Sequence, residues 1–273
     1  MSTRKSPAEI KSSKNPANPL VCLTAYSTPM AEILDAHCDL ILVGDSVGTA
    51  VHGMENTLGV TLEMMIMHGQ AVMRGVKRAC VVVDMPYGTY EHNAENALRN
   101  AQRLMKETGC DAVKLEGGED QAGTIAYLVD HGIPVMGHIG LQPQSVVKEG
   151  GYKIKGRSDE EIEHLMVDAR AVDEAGAFAV VIEGTQEDVA ARLTQAISIP
   201  TIGIGASASC DGQVLVIDDM IGMLAGHTPK FVKKYAHVRD TIDEAVKNYA
   251  ADVRTRAFPT ADYIYAPKKE PAA

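Results

Sequence analysis

The sequence predicts a single (β/α)8 barrel, an α/β fold in which eight parallel strands alternate with helices. Short runs rich in Val, Ile and Leu alternate with longer stretches of helical period. The repeats fill about 250 residues, which is the usual size of such a barrel. The rival fold, a doubly wound open sheet, usually has a glycine-rich phosphate turn after its first strand, and "LTAYSTP" is not one.

The first four predicted strands are short and rich in β-branched residues, which is typical of strands buried on both faces. They begin at residues 20, 40, 80 and 111 with the sequences "LVCLTA", "LILVGD", "CVVVDM" and "DAVKLE". Two stretches of helical period lie among them, "TLEMMIMHGQAVMRGV" and "HNAENALRNAQRLMKE". In "KETGCDAVKL", the glycine before the fourth strand suits the C-cap of the preceding helix.

The second half continues the alternation. Strands are predicted at "IPVMGH" from 133, "FAVVIE" from 178, "PTIGIG" from 200 and, with the weakest pattern, "MIGMLAG" from 220. The helices "DEEIEHLMVDARAVDEAG" and "QEDVAARLTQAI" lie between them. The polar stretch "EGGYKIKGR" at 149–157 is either a lid over the barrel mouth or an exposed loop.

Composition limits the kinds of partner. The net charge of -10 argues against nucleic acid or an anionic membrane and favours a small molecule. No run is long enough for a membrane span, and the start lacks the apolar stretch of a signal peptide. Five widely spaced cysteines without a metal motif predict reduced core thiols and a cytoplasmic location. We expect a flexible arm at 1–18, the catalytic barrel at 19–257 and a tail at 258–273.

The strand ends are where the chemistry of such a barrel lies. Residues two apart in a strand point to the same side, which places Lys114 beside Glu116. Other interpretations are a surface ion pair for these two, a helix cap for a single Asp, and a structural role for His138. The candidates at the strand ends are Asp45, Ser46, Asp84, Lys114, Glu116, His138 and Glu183.

Several carboxylates at one mouth repel each other unless a cation or raised pKa values relieve them. Without clustered Cys or His donors, the oxygens of Asp45, Asp84 and Glu116 favour a hard divalent cation, Mg²⁺ first. Glu183 comes two strands after Glu116 and suits a general base that faces a metal-bound substrate. The charge of Lys114 suits a substrate carboxylate.

Longer phrases resemble a known family from about residue 20 to 235. "LVGDSVG", "VVVDMPYGTY", "AVKLEGGE", "GHIGLQPQS" and "GGYKIKGR" have the order and similar spacing of the ketopantoate (3-methyl-2-oxobutanoate) hydroxymethyltransferase family. The resemblance implies a Mg²⁺-dependent barrel that forms a homodecamer. It also implies transfer of a hydroxymethyl group from 5,10-methylenetetrahydrofolate to C3 of 3-methyl-2-oxobutanoate, giving 2-dehydropantoate for pantothenate biosynthesis through Mg-assisted enolisation.

The resemblance also implies residue roles. The metal ligands would be Asp45, Asp84 and Glu116, and the proton acceptor would be Glu183. The ketoacid would contact Asp45, Ser46, Asp84 and Lys114, and strand-end position adds His138 to this set. One alternative is a Mg-dependent 2-oxoacid C–C lyase of the isocitrate lyase/phosphoenolpyruvate mutase type, although its "KxCGH"-like loop is not found. The other is a barrel that binds a metabolite or metal without catalysis.

Overall fold

The computed structural model describes residues 4–226 and 228–265, so parts of the predicted arm and tail, 1–3 and 266–273, lie outside the described residues. Eight parallel strands close into a barrel in chain order, with the last strand paired to the first. This confirms the predicted (β/α)8 fold. The strands are β1 Leu20–Thr24, β2 Leu40–Val43, β3 Cys80–Asp84, β4 Ala112–Lys114, β5 Val135–Gly140, β6 Ala179–Glu183, β7 Thr201–Ile204 and β8 Gly212–Leu215.

Eleven α-helices occur in the described part of the chain, and several begin with a side-chain cap. Thr61, Asn93 and Ser158 each accept a hydrogen bond from a backbone N–H three residues later. The helices are α1 Pro7–Lys11, α2 Thr28–Asp35, α3 Val47–Ala50, α4 Leu62–Gly75, α5 Ala94–Thr108, α6 Glu119–Asp130, α7 Val146–Glu149, α8 Asp159–Glu174, α9 Glu187–Ala196, α10 Ile217–Met220 and α11 Val238–Thr255.

The barrel interior is built from alternate strand positions, because successive side chains in a strand point to opposite faces. In β3, Cys80 and Val82 belong to one buried cluster with their counterparts from the other strands. Asp84 is the next residue in the same alternation, and its Cα pairs in register with Lys114. The apolar interior therefore ends in a polar layer at the C-terminal ends of the strands.

The outward positions of the strands pack against the helices. Val81, Val83 and Val180 are fully buried, as are Val72 of α4 and Val172 of α8. At Gly137 of β5, a Cβ atom would lie 2.5 Å from Val172 Cγ1, so α8 packs directly on the strand backbone. This two-sided burial accounts for the nearly continuous apolar runs of the strands.

The predicted eighth strand at 220–226 is wrong. The barrel is closed instead by Gly212–Leu215, which pairs with both β7 and β1. Residues 205–211 form a loop between β7 and β8, so no helix precedes the last strand. Its pattern is also weak, because it begins with glycine and Gln213 is exposed.

The segment before β1 differs from the expected flexible arm. Ser6 and Glu9 form a capping box at the start of α1, and Ile10 is fully buried in the interior cluster of the barrel. Lys14 donates to Asp211 Oδ2 at 3.0 Å and to two backbone carbonyls. A five-residue helix with one buried side chain is too short to produce a recognisable apolar period.

The described chain divides into two compact units. The first covers residues up to 217 together with 229–232, and includes the whole barrel. The second covers 218–228 and the residues from 233 onward, and its main element is α11. The predicted domain boundary at 257 lies within this second unit. None of the helices in the described residues has the length and apolar character needed to span a membrane.

Candidate active site

Four charged or ionisable side chains occupy the last inward positions of consecutive strands. Asp84, Lys114 and His138 are each at most 4% exposed, and the side chain of Glu183 is 17% exposed. All four continue the inward alternation of the apolar interior, which explains why charged groups follow runs of valine and isoleucine. The seven predicted site residues meet at this end of the barrel.

Lys114 lies at the centre of this polar layer. Its Nζ is 3.1 Å from Asp84 Oδ1 and 3.1 Å from His138 Nδ1. Burial alone lowers the pKa of Lys114, but the carboxylates of Asp84, Glu116 and Asp45 outweigh burial and the pKa is raised. Lys114 is therefore a charged donor. The surface ion pair with Glu116, one interpretation of the sequence, is replaced by a buried pair with Asp84.

His138 connects Lys114 to Glu183. Burial and the neighbouring ammonium of Lys114 hold the His138 pKa well below its usual range, so the ring is neutral. Because Nδ1 accepts from Lys114, the ring proton belongs on Nε2. His138 Nε2 lies 3.2 Å from Glu183 Oε2, without the geometry of a directed hydrogen bond.

The carboxyl group of Glu183 closes this line of contacts. Burial raises its pKa to about 7, although Lys114 opposes the shift. Its backbone is held by the loop after β5, where Leu141 N donates to Glu183 O at 2.8 Å. Gly140 has a φ of +90°, and a Cβ there would lie 2.3 Å from Glu183 O, so glycine is required for this close approach.

Asp45 and Ser46 follow β2. Asp45 is 5% exposed, and burial together with the neighbouring Asp84 raises its pKa to about 7. Its backbone N–H donates to Asp84 Oδ2 at 3.0 Å. Ser46 Oγ lies 2.7 Å from the hydroxyl of Tyr26. The turn after β2 is thus tied to the ends of both neighbouring strands.

Glu116 lies two residues beyond Lys114 in the loop that follows β4. Its side chain is buried, and burial followed by the charge of Asp45 raises its pKa well above the ordinary value. Gln144 N donates to Glu116 Oε2 at 3.0 Å, and His138 Nδ1 is 3.5 Å from Glu116 Oε1. The carboxyl group therefore faces the same polar layer from the β4 side.

Sequence reasoning missed three neutral residues in the mouth. Gln144 contacts both Asp45 and Glu116, Tyr90 contacts Gln144, and Tyr26 contacts Ser46. None of the three side chains carries a charge at neutral pH, and Gln144 and Tyr90 lie in loops beyond the strand ends. Gln144 and Tyr90 do fall in the phrases "GHIGLQPQS" and "VVVDMPYGTY", which carry the family resemblance.

The donor chemistry of the mouth suits a hard divalent cation. Asp45, Asp84 and Glu116 offer buried carboxylate oxygens, the donor type that such cations prefer. Among the described residues, however, no three His, Cys, Asp or Glu side chains are already arranged as a metal site. The ligand types at the mouth nevertheless fit such a cation.

Residues 149–157, predicted as a lid or an exposed loop, are attached to the strand end of Glu183. Lys155 N donates to Gly184 O at 2.8 Å, and Gln186 N donates back to Lys155 O at 3.0 Å. Tyr152 is 59% exposed, yet Glu183, Asp45 and Glu116 add to burial in raising its pKa. The loop therefore has both a fixed end at Lys155 and an exposed tip at Tyr152. A cavity of about 590 Å³ lies beside this loop, with Gln142, Lys148 and Asp168 in its lining.

Known proteins resemble this chain over most of its length. A family model for ketopantoate hydroxymethyltransferase matches residues 4–261. A 3-methyl-2-oxobutanoate hydroxymethyltransferase from Mesorhizobium japonicum is 62% identical over 251 residues, which are 92% of this chain and 88% of the relative. The enzyme of that name from Hyphomonas neptunium is 57% identical, covering 98% of this chain and 97% of the relative.

Solved structures of other enzymes share the fold. A phosphonopyruvate hydrolase in complex with oxalate and Mg²⁺ has a TM-score of 0.60 at 12% identity, covering 97% of this chain and 93% of that one. A 2,3-dimethylmalate lyase has a TM-score of 0.58 at 15% identity, covering 92% and 86%. These similarities show the barrel fold, whereas the sequence matches show the family. The chain belongs to the ketopantoate hydroxymethyltransferase family of enzymes.

Proposed function

We propose that the protein transfers a hydroxymethyl group from 5,10-methylenetetrahydrofolate to C3 of 3-methyl-2-oxobutanoate. One water is consumed, and the products are 2-dehydropantoate and tetrahydrofolate. The observation that carries the proposal is the contact of Glu183 with His138, which in turn contacts Lys114 beside three buried carboxyl groups. This arrangement supplies a base, a cation and oxygen donors in one barrel mouth.

Asp45, Asp84 and Glu116 would hold Mg²⁺. When bound, the cation supplies Lewis-acid stabilisation of the negative charge that develops on a 2-oxoacid as it loses its C3 proton. The proposal is supported by the burial of all three carboxyl groups, whose oxygens are the donor type that Mg²⁺ prefers. Cation binding would also relieve the repulsion that raises the pKa of Asp45 through Asp84.

Glu183 would accept the C3 proton of the ketoacid. A pKa of about 7 makes it a stronger base than an ordinary carboxylate, half ionised near neutral pH and mostly ionised above it. His138, with its proton on Nε2, faces the same carboxyl group and is neutral, so it lies beside Glu183 without forming a competing ion pair. The loss of the C3 proton leaves an enolate that attacks the one-carbon unit of the folate.

Lys114 and Ser46 would bind the ketoacid. The buried ammonium of Lys114 is the nearest positive charge to Asp84 and can attract the substrate carboxylate. Ser46 Oγ is already positioned by Tyr26 at 2.7 Å. We place the reaction in the cytoplasm and in a homo-oligomer, with the decamer of the family as the expected assembly.

Proton exchange tests the base assignment directly. The protein is incubated with 3-methyl-2-oxobutanoate and Mg²⁺ in D2O, with and without folate, and the C3 proton is followed by NMR. We expect exchange with the unaltered protein, loss of about two or more powers of ten in rate for Glu183→Gln, and no loss for Glu174→Gln on the exposed surface of α8. Equal exchange by the two variants would refute Glu183 as the base.

The same assay separates the two other functions considered. A non-catalytic binder would retain the ketoacid and the metal but show no exchange under either condition. A 2-oxoacid lyase would cleave a C–C bond of its substrate without any requirement for folate. Formation of 2-dehydropantoate that depends on 5,10-methylenetetrahydrofolate is the result that the proposed transferase reaction requires.

A further inference from the structure

The side chain of Gln144 makes hydrogen bonds to Asp45, Met85 and Tyr90 in the barrel mouth. It lies in the short 3₁₀ turn Pro143–Ser145 after β5 and is 6% exposed. Its Nε2 donates to Asp45 Oδ2 at 2.9 Å and to Met85 O at 3.1 Å. Its backbone N donates to Glu116 Oε2 at 3.0 Å. One residue thus connects carboxyl groups that follow two different strands, β2 and β4.

The orientation of the Gln144 amide is fixed by Tyr90. The Tyr90 hydroxyl donates to Gln144 Oε1 at 2.6 Å, while Glu116 N donates to the same hydroxyl at 3.3 Å. The other end of the amide faces a carboxyl oxygen and a carbonyl oxygen, which both require a donor. A flipped amide would place oxygen against oxygen at Asp45 and nitrogen against the Tyr90 proton.

We propose that Gln144, held by Tyr90, is a positioning residue that fixes the Asp45 and Glu116 carboxyl groups relative to each other for a divalent cation. The proposal rests on the metal site of the proposed function. Hydrogen bonds to one oxygen of each carboxyl group restrict its rotation, so less order has to be gained when a cation binds. Outer hydrogen bonds of this kind commonly change metal affinity by about 10- to 100-fold.

The chemistry of an amide suits this position better than that of a charged side chain. A carboxylate at 144 would add a fourth carboxyl group beside Asp45, Asp84 and Glu116 and could not donate to Asp45. A lysine or arginine would satisfy the carboxyl groups but would compete with the cation for them. A neutral donor orients the ligands and leaves their charge for the metal.

Metal binding to the folded protein tests the proposal without using turnover. We expect Gln144→Met, which keeps the length and the backbone donor but removes the amide, to weaken Mg²⁺ binding by about 10-fold or more in calorimetric titration, with the same trend for Mn²⁺ followed by electron paramagnetic resonance. Gln142→Met is the matched control. Gln142 is two residues earlier, lines the cavity beside α8, and should change the dissociation constant less than about 2-fold.

A double-mutant cycle distinguishes positioning from general loosening of the mouth. Tyr90→Phe should weaken Mg²⁺ binding in the unaltered protein, because the amide is then free to flip. It should have little further effect in the Gln144→Met background, since Tyr90 acts through Gln144. The proposal would be overturned if the two substitutions caused fully additive losses of Mg²⁺ affinity. It would also be overturned if Gln144→Met kept the melting temperature of the Gln142→Met control and bound Mg²⁺ as tightly as the unaltered protein.

Two results keep this proposal separate from the proposed function. If the unaltered protein binds no divalent cation, both the metal site and the role of Gln144 are refuted. If it binds the cation and catalyses exchange while Gln144→Met binds equally well, only the role of Gln144 is refuted. If Gln144→Met does not fold, the decision passes to Tyr90→Phe, which keeps the amide, and unchanged affinity there refutes the proposal.

Discussion

Glu183 is a buried carboxyl group with a folded-state pKa of about 7, compared with an ordinary value of 4.5. Burial stabilises its protonated form, so the folded state holds a proton that the unfolded state loses between these two pH values. The contribution of Glu183 to stability is therefore present below about pH 4.5 and is lost as the pH rises through about 7. Above that range, the charged group destabilises the metal-free fold.

This titration predicts a pH-dependent effect for Glu183→Gln. With chelator present, we expect the variant to equal the unaltered protein near pH 4.5 and to be more stable at pH 8, by up to about 3 kcal/mol. Thermal unfolding from pH 4.5 to 8 measures the difference. Glu174→Gln, at an exposed position of α8, is the matched control for the loss of one carboxyl group. A constant difference for Glu183→Gln would contradict the raised pKa.

The charged residues of the mouth could be predicted from the sequence, whereas their neutral partners could not. Lys114 and Glu116 interrupt apolar alternation at a strand end, and burying charge is costly enough that such an interruption indicates a site. Gln144 and Tyr90 lie in loops, where a polar side chain needs no explanation. Their importance depends on three-dimensional contacts that local pattern does not encode.

At the scale of elements, seven strands were predictable because each is a short apolar run that follows a helix or loop with a clear ending, and β2 to β7 have no exposed residue. β8 breaks both regularities, since Gln213 is exposed and a loop replaces the preceding helix. The N-terminal segment was missed for a related reason. Its attachment depends on one buried side chain, Ile10, and on one charged side chain, Lys14.

The contacts of Lys14 predict a stabilising role for the segment before β1. Lys14 Nζ donates to Thr194 O, Ile199 O and the carboxylate of Asp211, which is 2% exposed. Lys14→Met would leave that carboxylate with only the donors of Thr201. We expect a loss of about 1–3 kcal/mol in the free energy of unfolding, measured with urea.

Lys11→Met is the matched control for Lys14→Met, because Lys11 is exposed at the end of α1 and loses the same charge. We expect it to change the free energy of unfolding by less than about 0.5 kcal/mol. Equal effects of the two substitutions would indicate that net charge, and not the contacts with Asp211, determines the change. The ligand-binding mouth is at the opposite end of the strands, so metal affinity should be unchanged in both variants.

At the scale of the whole molecule, α11 carries an apolar stripe along one of its faces. The helix has no buried residue, although Ile242, Val246, Tyr249 and Val253 recur at the spacing of one helical face. These side chains are between 43% and 60% exposed. A stripe of this kind supports the proposed homo-oligomer, because contact with another copy would remove it from water.

Val246→Asp tests whether this stripe stabilises the assembly. Val246 lies in the middle of the stripe and is 60% exposed in the single chain. Burial of a valine side chain contributes about 1.5–3 kcal/mol. If another copy covers Val246, a carboxylate at this position would therefore weaken the subunit contact by at least that amount. We therefore expect mass photometry and sedimentation velocity to show smaller species than for the unaltered protein.

Asn248→Asp introduces the same charge at an exposed position off the stripe and should preserve the assembly. Unchanged mass in both variants would exclude this face as a subunit contact, and a monomeric unaltered protein would refute the oligomer itself.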